Sequence, residues 1–149
     1  MSDLNITPLT LNDLPIILQI EQSSQVIPWR LQSFQECCTE QYINLKLTKN
    51  QEIIGYCICH HLLDEATLFN IAISPNFQAK GYGRLLLQYL NQQLQAKGCS
   101  TLWLEVRESN LAAQHLYQTI GFQTLTVRKE YYRTPDNGRE NAVIMAYYF

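Results

Sequence analysis

Three stretches of this 149-residue chain carry residue types suited to chemistry. The first is Thr101-Leu102-Trp103-Leu104-Glu105-Val106-Arg107, which alternates with period two. Leu102, Leu104 and Val106 share one face of a strand; Trp103, Glu105 and Arg107 share the other. A carboxylate next to a tryptophan on a strand can be partly buried, which raises its pKa toward a useful base value. A solvated strand face, or a Glu105–Arg107 pair, fits the same pattern. The second stretch runs from Ser109 to Phe122, where Ala113, Leu116, Tyr117 and Ile120 follow an i, i+3, i+4, i+7 stripe. On that pattern Tyr117 is a core tyrosine.

The third stretch is Gln78-Ala79-Lys80-Gly81-Tyr82-Gly83-Arg84, placed between a strand and a long helix. Its glycines let the backbone approach a ligand closely. The free N–H groups of the helix start, with the positive end of its dipole, make an anion site to which Lys80 and Arg84 add charge. Neither of two common phosphate motifs fits. A P-loop needs Gly-Lys-Ser/Thr after four spacer residues. A dinucleotide fingerprint needs a third glycine where Leu86 stands and an acidic residue where Thr101 stands.

Cys57-Ile58-Cys59-His60-His61 brings metal-ligand types together, but no second cluster completes a tetrahedral set. The expectation is therefore no metal, with small buried cysteines in a strand. The five cysteines are odd in number and form no C-x-x-C pair, so they are not a disulfide framework. With no basic-then-apolar leader and no apolar run of spanning length, a cytoplasmic protein away from membranes is expected. The net charge of −2 argues against direct nucleic-acid binding, which is mostly phosphate neutralisation. That total hides an asymmetry: residues 1–45 carry −4 and residues 46–100 carry +2.

The elements that must position these groups can be read from turn signals and periodicity. Strands are predicted at Leu4 to Thr7, Tyr42 to Thr48, Ile53 to His60, Thr67 to Ile73, Leu102 to Val106, Phe122 to Tyr131 and Ala142 to Tyr148. Helices are predicted through Leu14 and Ile20, from Pro28 to about Thr39, from Gly83 to Lys97 and from Leu111 to Ile120. Asn12 is favoured over Thr10 as first cap because Pro15 then falls in the first turn. Asn110 caps the last helix and Gly121 stops it. This order, at a length that suits one domain spanning residues 1–149, gives an α/β (α+β) fold. Its core is a mixed, mostly antiparallel sheet of about seven strands with helices on both faces.

These stretches together resemble the GNAT (Gcn5-related) N-acetyltransferases. The turn is similar to that family's Gln/Arg-x-x-Gly-x-Gly/Ala signature, and Asn110-Leu-Ala-Ala113 through Leu116-Tyr117 to Gly121-Phe122 matches its Asn-x-x-Ala-x-x-Leu-Tyr-x-x-x-Gly-Phe helix. The resemblance implies acetyl-CoA as cosubstrate. Its pyrophosphate would lie on the amides of Ala79, Lys80, Gly81, Tyr82, Gly83 and Arg84, and its pantetheine arm along a bulged strand at Ile71, Ala72 and Ile73. Asn110 would be a further cofactor contact. Ala79 departs from the basic residue often found there, which removes a side-chain contact but no backbone contact. The resemblance also assigns Glu105 as general base and Tyr117 as general acid in direct transfer from a ternary complex.

Leu63 to Ala72, Thr101 to Arg107, Tyr131-Tyr132 and Asp136 to Ala142 narrow the match to one branch. That branch acetylates the N-terminal alanine of a small-subunit ribosomal protein. The implied partner is the basic N-terminal segment of such a protein, met by a monomer whose acidic first third lies beside the acceptor groove. Asn137 reads as an insertion in an Asp-Gly turn bordering that groove. Acetylation of a small amine or a lysine side chain, and a CoA-binding module without catalysis, are the alternatives.

Overall fold

The computed structural model describes residues 3–149. Seven strands form one sheet: β1 (Leu4–Pro8), β2 (Tyr42–Lys49), β3 (Glu52–Leu62), β4 (Glu65–Ile73), β5 (Thr101–Arg107), β6 (Gln123–Arg133) and β7 (Arg139–Tyr148). Their spatial order is β1-β2-β3-β4-β5-β7-β6, and every pairing is antiparallel except β4 with β5. The parallel pair is joined through α3 (Tyr82–Ala96), since parallel neighbours need a crossover.

Each sheet face buries its own apolar cluster. α3 and α4 (Leu111–Ile120) cover one face, where Leu86, Leu87, Leu90 and Leu94 pack against Leu102, Leu104 and Val106. α1 (Leu14–Ser24) and α2 (Leu31–Glu36) cover part of the other, where Leu14, Ile17 and Phe34 meet Tyr56, Ile58 and Ala72. The alternation in β3 follows: Tyr56 and Ile58 face α1, while Cys57 and Cys59 face the larger core. All five cysteines are free thiols. Among the described residues no helix is long and apolar enough to cross a membrane.

Two element starts differ from the sequence expectation. The entry to α1 is a 3-10 turn at Leu11–Asp13, and Thr10 rather than Asn12 is the capping residue. Asp13 reaches back to accept the Thr10 amide at 2.8 Å while its own amide donates to the Thr10 carbonyl at 3.0 Å. This reciprocal closure satisfies two donors at once, which Asn12 inside the turn cannot do. α2 begins at Leu31, not Pro28, and ends at Glu36. Pro28 disfavours helix at the residue before it. The Trp29 amide donates to the Glu21 carboxylate at 2.8 Å, so it is held outside the helix.

Two bulges set the direction of the functional side chains. In β4, Ile58 opposes Asn70 and Cys59 opposes Leu68, so Phe69 is the extra residue. Phe69 and Asn70 consequently lie on one face, with Phe69 stacked on His60 (centroids 5.7 Å apart) and Asn70 bonded to Glu21. In β6, Arg128 opposes Ala142 and Tyr132 opposes Glu140, leaving three residues across from Asn141. Glu130 takes φ 51°, and its amide donates to the Asn141 side chain at 2.9 Å. Adjacent Tyr131 and Tyr132 thereby meet edge to face, 5.0 Å between centroids, and both line the same cleft.

Candidate active site

The parallel pairing of β4 with β5 runs only from Glu65↔Thr101 to Leu68↔Leu104. Beyond it the strands part, and Phe69–Ile73 and Glu105–Arg107 form the edges of a fork. A cleft of ≈ 530 Å³ opens there. Its lining includes Leu104, Val106 and Tyr117 from the α4 side of the sheet and Glu21, Glu105 and Arg107 from the α1 side, so it runs through the sheet. Glu105 and Tyr117 reach it from opposite faces. Of the sequence-derived contact residues, Ile71 and Asn110 also line it.

Tyr117 is buried, its ring 5.6 Å from that of Phe122. Burial, with the neighbouring Tyr132, pushes its hydroxyl well above the usual tyrosine range, so it keeps its proton through any physiological pH. Glu105 is about one-third exposed and pairs with Arg128 at 3.5 Å. It does not pair with Arg107. That guanidinium binds Glu140 at 2.9 Å and the Arg133 carbonyl at 2.8 Å, and lies 4.6 Å from the Tyr132 ring. Asn110 caps α4 by accepting the Ala113 amide at 3.2 Å.

Ala72 does not line the cleft; it is buried against α1 and α2. Ile73 packs its side chain on the larger core. What this segment offers is backbone. Gln25 donates to the Ile71 carbonyl at 3.3 Å, and Gln78 to the Ile73 carbonyl at 2.9 Å, replacing the lost strand partner.

The turn Ala79–Arg84 stands apart from the cleft, at the start of α3. Ala79 and Gly81 both have positive φ, 60° and 87°, and Gly81 is the N-cap residue. The first intrahelical bond is Leu85 N–H to Gly81 carbonyl at 3.1 Å, so the amides of Tyr82, Gly83 and Arg84 are the unsatisfied first turn. The space beside Gly81 is open. Lys49 donates to the Tyr82 hydroxyl at 2.9 Å, and Arg84 donates to Thr119. Exposed amides, a helix dipole and an adjacent fork fit an extended cosubstrate with an anionic end. Gly81→Ala forces an L-residue into the left-handed region at about 1–2 kcal/mol. The free turn of the variant relaxes that strain and binding re-imposes it, so calorimetry is expected to give an acetyl-CoA Kd raised roughly tenfold.

Sequence reading missed three parts of the site. Glu21 reads as one more apolar-helix polar residue, yet it is buried in the cleft floor. It accepts from Tyr56, from Asn70 at 2.9 Å and from the Trp29 amide at 2.8 Å. Tyr131 and Tyr132 carry no site signal without the bulge that aims them. The first third does border the cleft, through Glu21, Gln25, Ile27 and Trp29, but most of its negative charge lies elsewhere. Of its carboxylates only Glu21 is among the lining residues, and Asp13 is paired with Lys46 at 2.8 Å. The turn at Asn137 (φ 65°) is also outside the lining, which takes in only its flanks, Arg133 and Arg139.

A forked mixed sheet whose crossover helix opens on a free-amide turn defines an acyltransferase architecture, and residues 12–122 match the acetyltransferase (GNAT) family. The chain belongs to that family and is an N-acetyltransferase. It is 53% identical over 132 residues to the ribosomal protein bS18-alanine N-acetyltransferase of Haemophilus ducreyi, covering 89% of this chain and 91% of that one. It is 47% identical over 141 residues to the protein of the same name from Escherichia coli (strain K12), covering 95% of each. The crystal structure of the E. coli ribosomal-protein-S18-alanine N-acetyltransferase matches with TM-score 0.92 and 46% identity, covering 96% of this chain and 92% of that one. Arabidopsis thaliana NAA60 in complex with acetyl-CoA, at 14% identity, shares the fold with TM-score 0.88 over 98% of each chain.

Proposed function

We propose that this chain transfers the acetyl group of acetyl-CoA to the α-amine of an N-terminal alanine on a small-subunit ribosomal protein, the acceptor in the names of its relatives. The observation that carries this reading is the approach of Glu105 and Tyr117 to one cleft from opposite faces of the sheet. Acetyl-CoA supplies an activated thioester carbonyl. Direct transfer needs a proton removed from the amine on one side and a proton delivered to the departing sulfur on the other. Glu105, on the α1 side, takes the amine proton directly or through a water. Tyr117, on the α4 side, holds the proton that the leaving thiolate receives. The fork edge at Ile71 and Ile73 and the amides of Ala79–Arg84 hold the cosubstrate, and backbone N–H groups at the bulge polarise the carbonyl.

A panel of short peptides incubated with acetyl-CoA and read by mass spectrometry tests this. Peptides beginning with Ala are expected to gain one acetyl group at the α-amine, and α-blocked copies none. Acetylation of lysine side chains alone, or of polyamines alone, overturns the acceptor assignment.

A further inference from the structure

Arg128 is the one basic side chain in ion-pair contact with Glu105 among the described residues, and no motif in the sequence marks it. We propose that Arg128, stacked on Tyr131, is a positioning residue that aims the Glu105 carboxylate at the cleft and disfavours the protonated form of the incoming amine. This rests on the reading of Glu105 as base.

The geometry is specific. The Arg128 guanidinium lies 4.2 Å from the Tyr131 ring centroid and 3.5 Å from Glu105 Oε1. Arg128 does not itself line the cleft, whereas Glu105 and Tyr131 do. It therefore stands behind the carboxylate and acts through it. The 3.5 Å separation exceeds the 2.7–2.9 Å of a tight charge-assisted bond, so the carboxylate remains free to engage an amine. The β6 bulge is what makes the arrangement possible, because it returns Tyr131 to the face that Arg128 occupies.

The charged and titratable groups around Glu105 divide cleanly. On β6 they are Arg128, Tyr131 and Tyr132, and burial together with the nearby Glu105 carboxylate holds both tyrosine hydroxyls above their ordinary range. On β5, Arg107 is engaged by Glu140 of β7. The residue opposite Glu105 on β7 is the apolar Ile144. Across the cleft stand Tyr117 of α4 and Glu21 of α1, the latter held by three donors. Arg133 and Arg139 line the mouth of the cleft. Arg128 thus offsets the Glu105 charge, which as a bare carboxylate beside the amine's landing place would hold the ammonium form. A fixed cation near an amine favours its neutral, nucleophilic form.

The test is the pH profile of kcat/KM on an Ala-initiated peptide for wild type, Arg128→Met, Arg128→Lys and Glu105→Gln. Arg128→Met is expected to move the midpoint of the ascending limb upward by about half a pH unit, because the amine then stays protonated to higher pH. Arg128→Lys restores the charge and most of the midpoint. The difference shrinks in about 0.5 M salt, because Arg128 is more than half exposed. Loss of packing alone would lower the rate without moving the midpoint. An unmoved midpoint in Arg128→Met while Glu105→Gln is impaired overturns the role of Arg128. A wild-type profile in Glu105→Gln overturns the base assignment and this inference with it.

Discussion

Tyr117→Phe is expected to lower kcat on an Ala-initiated peptide by about a hundredfold or more, with the melting temperature nearly unchanged. Positioned proton transfer contributes roughly 10²–10⁴ in rate. The substitution removes only the hydroxyl, while the ring keeps its packing against Phe122. Because burial holds the hydroxyl proton well above the usual range, the loss is expected to be flat across about pH 6 to 9. Glu105→Gln behaves differently. An α-amine has a pKa of roughly 7.7–8.0, so a base is needed most below that value. The penalty in Glu105→Gln is therefore expected to be largest near about pH 7 and to shrink as pH rises past 8. The two ratios to wild type, plotted against pH, separate acid from base without a structure of the complex. Wild-type rates in both variants would sink the assigned roles.

The contrast between these residues and the rest of the site shows which physics is local. Strand alternation at Thr101–Arg107 and the helical stripe through Ala113 and Tyr117 are periodic signals, and they gave the correct faces because both elements bury one side. The turn before α3 was visible because Gly81 takes positive φ at a helix start. What stayed hidden depends on register. Phe69 and Tyr131 are bulge-displaced, and period-two reading cannot place Phe69 beside Asn70, or Tyr131 beside Tyr132, on one face. Ion-pair choice was equally illegible: Arg107 sits two residues from Glu105, but the β7 strand brings Glu140 to it and the β6 strand brings Arg128 to Glu105. Net charge by segment was a poor guide for the same reason: Asp13 pairs with Lys46, Glu36 accepts from Gln32, and Glu21, which does line the cleft, is occupied by buried donors.

The largest stability effect is expected at Glu21. Its side chain is the hub of a buried network joining three segments: the loop after α1 through the Trp29 amide, β3 through Tyr56, and the β4 bulge through Asn70. Asn70 in turn accepts from Gln25 at 3.0 Å. Glu21→Ala leaves three donors without an acceptor. An orphaned buried donor costs about 1–3 kcal/mol, and the cleft lets water reach this one, so about 3 kcal/mol in total is expected. At this chain length that lowers Tm by roughly 6–12 °C. Glu21→Gln keeps the volume and one acceptor oxygen but turns an amide N–H₂ toward a donor, so its cost is expected near 1 kcal/mol. Burial and the adjacent carboxylate push the Tyr56 hydroxyl far above its ordinary range, so Tyr56 remains the donor and the network does not come apart at moderately alkaline pH. The functional consequence reaches both substrates: with Trp29 and the bulge released, KM for the peptide is expected to rise, and KM for acetyl-CoA with it, because Asn70 and Gln25 link Glu21 to the Ile71 carbonyl at the fork edge. A Glu21→Ala protein that melts within about 2 °C of wild type would show that the three donors find water as readily as they find the carboxylate, and that the cleft floor is held by apolar packing alone.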